Sequence, residues 1–205
     1  MLRCLLRQAT GNEVNVRYSS EHKQQTRQAL LESSASLAKH NGFSTVGVDG
    51  LMKAIGLTGG AFYSHFPSKD DLFCAIIERE LENSLRLLGC GETSSKEKLK
   101  KCLGHYLNMA HVMNPADGCA IPALGAEIAR ADEYVRSRAE HWLCELHRVW
   151  GQILESETLA WAAISQSIGA LVVARMLSTP GVQASVIQAS HDLLCQQIDG
   201  PCGSD

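Results

Sequence analysis

Residues 56–73, "GLTGGAFYSHFPSKDDLF", set three glycines beside Phe62, Tyr63 and Phe66, then a histidine, a proline and a charged run. The punctuation in this stretch divides it into helices. Upstream, "VDGLMKAI" puts Val48, Leu51, Met52 and Ile55 at i, i+3, i+4 and i+7, one buried stripe of a short helix, and Gly56 supplies its C-terminal turn. The Thr58 hydroxyl is expected to N-cap a further short helix, which must end by Phe66 because Pro67 follows. Ser68 and Asp71 read as a capping box, opening a long helix through Phe73, Ile77, Leu81, Leu85 and Leu88. Residues 24–40 carry Leu30, Leu31, Ala35 and Ala38 at helical spacing and stop at Asn41-Gly42. Two short helices joined by a glycine turn and braced by a third describe a helix-turn-helix, whose second helix can enter the major groove of DNA.

The composition of the stretch fits that use. Gly59 and Gly60 leave backbone bare in the first turn of the second helix, where N–H groups can meet a phosphate. Phe62 and Phe66 are expected inside, Tyr63 and His65 outside with polar tips toward phosphate oxygens, and Lys69 adds a charge. A plain helical hairpin whose aromatics only pack fits the spacing equally well. Charge leans toward DNA: residues 1–69 hold 8 Lys and Arg against 4 Asp and Glu, whereas the remainder holds 11 against 18.

Together with the preceding "GFSTVGVDGLMKAI" (42–55), the stretch resembles the DNA-binding domain of the TetR family of bacterial transcriptional regulators, over about residues 24–75. The resemblance implies that Thr58, Gly59, Gly60, Tyr63, His65 and Lys69 touch bases or phosphates. Two departures stand out. Gly47 occupies a position where the family often has a capping Ser or Thr, and Gly59-Gly60 offers no side chain to a base edge, leaving base readout to Thr58, Ser64 and the preceding helix. The resemblance further implies a dimer that leaves double-stranded DNA when a small-molecule effector binds in the C-terminal half, where "GCAIPALGAEIAR" (118–130) is similar to a segment found in part of the family.

The rest of the chain is helical in period, with no strand pattern, so the fold class is all-α. The expected organisation is a flexible leader (1–22), a helix-turn-helix DNA-binding domain (23–75) and a helical effector-binding and dimerisation domain (76–200). After a break at Gly89–Ser95, one helix is expected to run to Met113 with Leu99, Leu103, Tyr106, Leu107, Ala110 and Met113 on one side. A further helical pattern spans 120–154 with a joint near "ARADE", and the last helix spans about 182–198. Between them, residues 159–177 are apolar nearly all round. Trp161, Ile164, Ile168 and Leu171 are expected to face the chain's own core, and Ala162, Ala163, Gly169, Ala170, Val173 and Ala174 a partner subunit, alongside Val182, Val186, Ala189 and Leu193. A single-chain core is the alternative. Tyr106, Met109, Met113, Trp142, Leu146 and Trp150 are candidates to line an apolar effector pocket, against plain packing.

Other chemistries find little support. No G-x-x-x-x-G-K, H-E-x-x-H or G-x-S-x-G occurs, so no enzyme class is indicated, and no cofactor. The eight cysteines, Cys4, Cys74, Cys90, Cys102, Cys119, Cys144, Cys195 and Cys202, form no C-x-x-C pair, arguing against zinc or a disulfide framework. They leave open a redox-sensing regulator that uses one thiol. His141, Cys144 and Glu145 share a helical face that a metal could use, but a solvated face is the expected reading, with no metal. "MLRCLLRQAT" lacks signal-peptide features and no run reaches a membrane span, which predicts a cytoplasmic protein without a membrane partner.

Overall fold

The computed structural model describes residues 20–89 and 95–200, and these contain helices and turns only. In chain order the helices are α1 Ser20–Asn41, α2 Val48–Ala54, a 3-10 helix Gly59–Ser64, α3 Lys69–Leu88, α4 Lys96–Tyr106, α5 Met109–Met113, a 3-10 turn Pro115–Asp117, α6 Ile121–Arg130, α7 Glu133–Leu154, α8 Glu157–Met176 and α9 Pro180–Asp199. The all-α expectation holds. Most of the leader, the centre of the Gly89–Ser95 break, and Cys4, Cys90 and Cys202 lie outside the described residues.

Side-chain caps set most of the starts. Ser68 accepts a bond from Asp71 N at 3.0 Å, so it N-caps α3 as expected, while the Asp71 carboxylate takes its return bond from the Ser68 hydroxyl at 2.7 Å in place of the backbone N–H of a full capping box. Ser95, Asp132 and Ser156 cap α4, α7 and α8 in the same way. The expected single helix up to Met113 is two: Leu107 leaves helical geometry, and Asn108 accepts from His111 N at 2.8 Å to start α5. The asparagine offers a nearby backbone amide a better partner than the helix does, a competition the apolar periodicity does not reveal.

Two apolar cores result. The first gathers Leu30, Leu51, Met52, Phe62, Phe66, Leu72 and Ile76, with Leu124 and Ile128 of α6 and Val135 of α7. The second gathers Leu99, Leu103, Tyr106, Leu146, Trp150, Ile164, Leu171 and Leu194. Helices α3 and α7 pack along one another and contribute to both. Helix α8 is long and apolar enough to cross a membrane, with a mean hydropathy of 1.4, yet Ala160, Ala163, Ile164, Ala170, Leu171 and Ala174 are buried in the second core.

Its faces divide differently from the sequence pattern. Trp161, expected inside, is 41% exposed and stacks on His147, with ring centroids 4.2 Å apart. Ala163, Ala170 and Ala174, expected on the partner face, are buried in the chain's own core. The inner arc sets Ala163, Ala170 and Ala174 between Ile164 and Leu171, and the small residues let α8 approach its neighbours closely there. The outward stripe is Ala162, Gly169, Val172, Val173 and Met176, continued on α9 by Val182, Val186, Ala189 and Leu193.

Candidate nucleic-acid interface and effector cavity

Helix α2 ends in a two-bond turn, with Gly56 N donating to Lys53 O at 3.0 Å and Leu57 N to Met52 O at 2.9 Å. Gly56 sits at φ +73, a conformation in which a Cβ is strained. This turn aims the next segment. The second element is a 3-10 rather than an α-helix, with Ala61 N bonding Thr58 O and His65 N bonding Phe62 O. Thr58 stands at its N-cap in extended geometry, but its hydroxyl makes no capping bond, so that expectation fails.

Phe62 and Phe66 are fully buried and fix the element on the first core. Thr58, Gly60, Tyr63 and Ser64 are exposed, Tyr63 by 66%, and share the outer surface. The two glycines have different reasons. A Cβ on Gly59 would lie 1.9 Å from Asp49 Oδ1 of α2, so its bareness serves packing within the chain, whereas a Cβ on Gly60 would meet nothing within 4 Å. The Ser64 hydroxyl donates to Ala61 O at 2.7 Å.

His65 departs from the expected outward pose. It is half-buried, its Nδ1 is buried without a partner, and burial, then the charges of Lys23 and Arg27, hold its pKa below the ordinary value. Lys69 lies 4.7 Å over the Phe43 ring and donates to Ser44 O at 3.4 Å, which ties α3 to the α1–α2 loop. Arg27 lies 4.4 Å from the Phe66 ring. Lys23 and Arg27 of α1 therefore flank the surface, a contribution legible in the sequence only as the basic excess of residues 1–69.

Two hollows share part of their lining. A small apolar pocket of about 30 Å³ is lined by Leu81, Leu85, Tyr106, Trp142, Leu146, Trp150 and Ile164, among others. Four of the six candidate pocket residues, Tyr106, Trp142, Leu146 and Trp150, line it. Met113 is 64% exposed on the surface, and Met109 packs against the second core without lining either hollow. The break at Asn108 turns α5 away from the face that a continuous helix would have carried them on. Ser84, Leu88, Tyr106 and Cys119 also border an open groove of about 930 Å³ among α3, α4, α5 and the 114–119 segment, with Lys39, Glu80, His105 and His111 on its walls. The larger space is thus partly polar, unlike the apolar pocket expected.

Two long-range links hold the helix-turn-helix, one to the groove wall and one to α6. Lys39 of α1, 8% exposed, meets Glu80 of α3 at 2.7 Å and Gly118 O at 3.0 Å. The Glu127 carboxylate of α6 accepts from Phe43 N at 2.9 Å and Ser44 N at 2.7 Å, gripping the loop that precedes α2. Neither link has a sequence signature, since each joins residues about 40 or more positions apart in the chain. At the groove wall His111 Nδ1 bonds Tyr106 O and Nε2 accepts from Cys119 N, and burial lowers its pKa.

The candidate metal face takes other partners: His141 edges Trp142 at 5.1 Å, Glu145 pairs with Arg148 at 2.9 Å, and Cys144 is exposed. Among the described residues, burial raises the thiol pKa of Cys74 and of Cys195.

Residues 30–76 match the family model described as "Bacterial regulatory proteins, tetR family". Over 135 residues the chain is 27% identical to the HTH-type transcriptional repressor NemR of Escherichia coli K12, covering 64% of this chain and 68% of NemR. It is 37% identical over 67 residues to the HTH-type transcriptional regulator AcrR of Shigella flexneri, covering 33% and 31%. Among solved structures, the reduced form of E. coli NemR superposes with a TM-score of 0.71 at 21% identity, covering 83% of this chain and 95% of that one. A TetR regulator from Chloroflexus aurantiacus gives 0.75 at 20% identity, covering 88% and 97%.

Proposed function

The chain is a TetR-family transcriptional regulator, and we propose that it works in the cytoplasm as a ligand-responsive repressor that binds a palindromic operator as a homodimer, without catalysis. The observation that carries the reading is the surface of Thr58, Gly60, Tyr63 and Ser64 held out by the buried Phe62 and Phe66. In this reading residues 23–75 are the DNA-binding domain and 76–200 the effector and dimerisation domain. Thr58 and Ser64 read base edges. Gly59, Gly60, Tyr63, His65 and Lys69 serve the phosphate backbone.

The outward stripe of α8 and α9, with Ala162, Gly169, Val173, Val186 and Leu193, is the dimer face. Ala170 is withdrawn from it because it is buried in its own chain. Two-fold symmetry would set the recognition elements roughly 34 Å apart, in successive major grooves. An effector in the groove acts by differential affinity, a tenfold weakening of DNA binding requiring about 1.4 kcal/mol of coupling. Helix α3 and the Lys39 link are its levers, because they join the groove wall to α1, and the Glu127 bonds carry the contact of α6 to the loop before α2.

Fluorescence anisotropy with the DNA upstream of the coding sequence tests the core of this. Lys69→Ala is expected to reduce the salt slope by roughly 0.9 for each phosphate that the lysine no longer neutralises. Gly169→Glu, whose Cβ meets nothing in the single chain, is expected to give folded monomers that bind DNA poorly. No inverted-repeat binding by the wild type, or an intact Gly169→Glu dimer in sedimentation, would count against the reading.

A second reading, a thiol sensor, has one observation in its favour: Cys119 borders both hollows beside Tyr106. Mass spectrometry of oxidised protein that finds no cysteine adduct accompanying DNA release would remove it.

A further inference from the structure

We infer that the effector carries an anionic group, a carboxylate by chemical class, and that Arg175 of α8 receives it; the inference rests on the ligand-responsive reading above. Arg175 ends the stripe Ile164, Ile168, Leu171, Arg175, spaced i, i+4, i+7 and i+11, and the first two of these line the small apolar pocket. Its Nη2 donates to His111 O at 2.8 Å, while Nε and Nη1 are buried with no hydrogen-bond partner. Among the described residues no carboxylate lies within ion-pair distance of it.

A half-buried guanidinium with two sealed nitrogens and no counter-charge is an unfavourable arrangement, since buried polar groups in proteins are mostly partnered. The neighbours do not relieve it. Tyr106 and Cys119 are close enough to act on the Arg175 charge, but burial holds the Tyr106 hydroxyl well above its ordinary pKa, so it stays protonated and neutral at physiological pH. Burial also pushes the guanidinium below its own ordinary value, consistent with a charge left uncompensated.

Access comes from the open groove. Tyr106, Cys119 and His111, the three groups around Arg175, all lie on its wall, and Tyr106 and Cys119 border the apolar cavity as well. Arg175 itself lines neither hollow but stands behind that wall, so the ligand's polar end passes between these three groups to reach it while its body stays against Leu87 and Leu88. The guanidinium's fork of donors suits the two oxygens of a carboxylate better than any single neutral acceptor. Of the cations that line the groove, Lys39 is paired with Glu80, while Arg86 bonds the neutral amide of Asn83.

The test uses the full chain and a panel of straight-chain and aryl carboxylates, each paired with its neutral primary amide, titrated by tryptophan fluorescence. Wild type is expected to bind acids about tenfold or more tighter than the matched amides, the span of a charge-assisted bond. Arg175→Gln should erase that preference while leaving amide affinity and operator binding in place, and Arg175→Lys should retain part of it. Equal binding of acid and amide by wild type, or a preference that survives in Arg175→Gln, overturns the anionic site. Should Arg175→Gln fail to fold, wild type against Arg175→Lys still decides, since a lysine that keeps the full preference contradicts a role for the guanidinium fork. Operator release is measured in parallel. Amides that release DNA as well as acids do leave the ligand-responsive reading standing and sink the anionic one; acids that bind preferentially through Arg175 without releasing DNA support the site and sink the repressor mechanism.

Discussion

The two cores are built by different kinds of information. In the first, local chemistry settles the path of the backbone: Gly56 in left-handed geometry, Pro67, the Ser68–Asp71 box and the close approach of Gly59 to Asp49 confine short helices to one arrangement. In the second, long helices with small and large apolar residues at helical spacing could pack in several ways, and contacts far apart in sequence choose among them. Segments of seven and six residues bury too little to hold themselves, so each needs its turn residues. Helices of 20 or more residues do not.

The largest break in that comparison is expected where the cores are joined. Lys39→Met leaves Glu80, whose side chain is 12% exposed, without its counter-charge, and should cost about 3–5 kcal/mol in denaturant unfolding. Pairing it with Glu80→Leu should recover most of that stability. A single variant costing under about 1 kcal/mol would mean that water already screens the pair.

A smaller, confined effect separates the regions. Gly56→Ala forces a Cβ into left-handed geometry and should cost about 1–2 kcal/mol. Operator affinity should fall while effector titrations of the second core stay unchanged. Hydrogen exchange that rises equally in α2 and α8 would refute the idea that the first core depends on its turns separately.

The gentlest effect is shared, since both histidines concerned keep some solvent contact. Burial lowers the pKa of His65 in the first region and of His111 at the groove from the ordinary 6.5. The unfolded chain therefore takes up protons first as pH falls, so this stability is fully present above the ordinary value and is lost below it. Melting temperatures should decline between roughly pH 7 and 5, and His111→Gln should flatten the decline. A slope unchanged by that variant would locate the titration elsewhere.

The same division explains what is legible in the letters. Gly56, Ser68 with Asp71, Pro67 and the buried Phe62 and Phe66 can be read directly because each is a short-range rule about backbone geometry or helical face. The break at Asn108 escapes such a reading because a cap inside an apolar period competes with a pattern that continues through it. Met113 is misplaced with it, as are Trp161 and Ala170, because periodicity identifies a helix that is apolar all round without saying which arc turns inward.

By itself the sequence determined the all-helical class, the helix-turn-helix and most helix starts, since these follow from interactions within a few residues. Only the tertiary structure decided which arc of α8 is outward, that Lys39 ties α1 to the groove wall while Glu127 ties α6 to the loop before α2, and that Arg175 is left without a counter-charge. Those outcomes depend on which distant side chains meet when the helices pack. A buried charge has no partner, or has one, only in three dimensions.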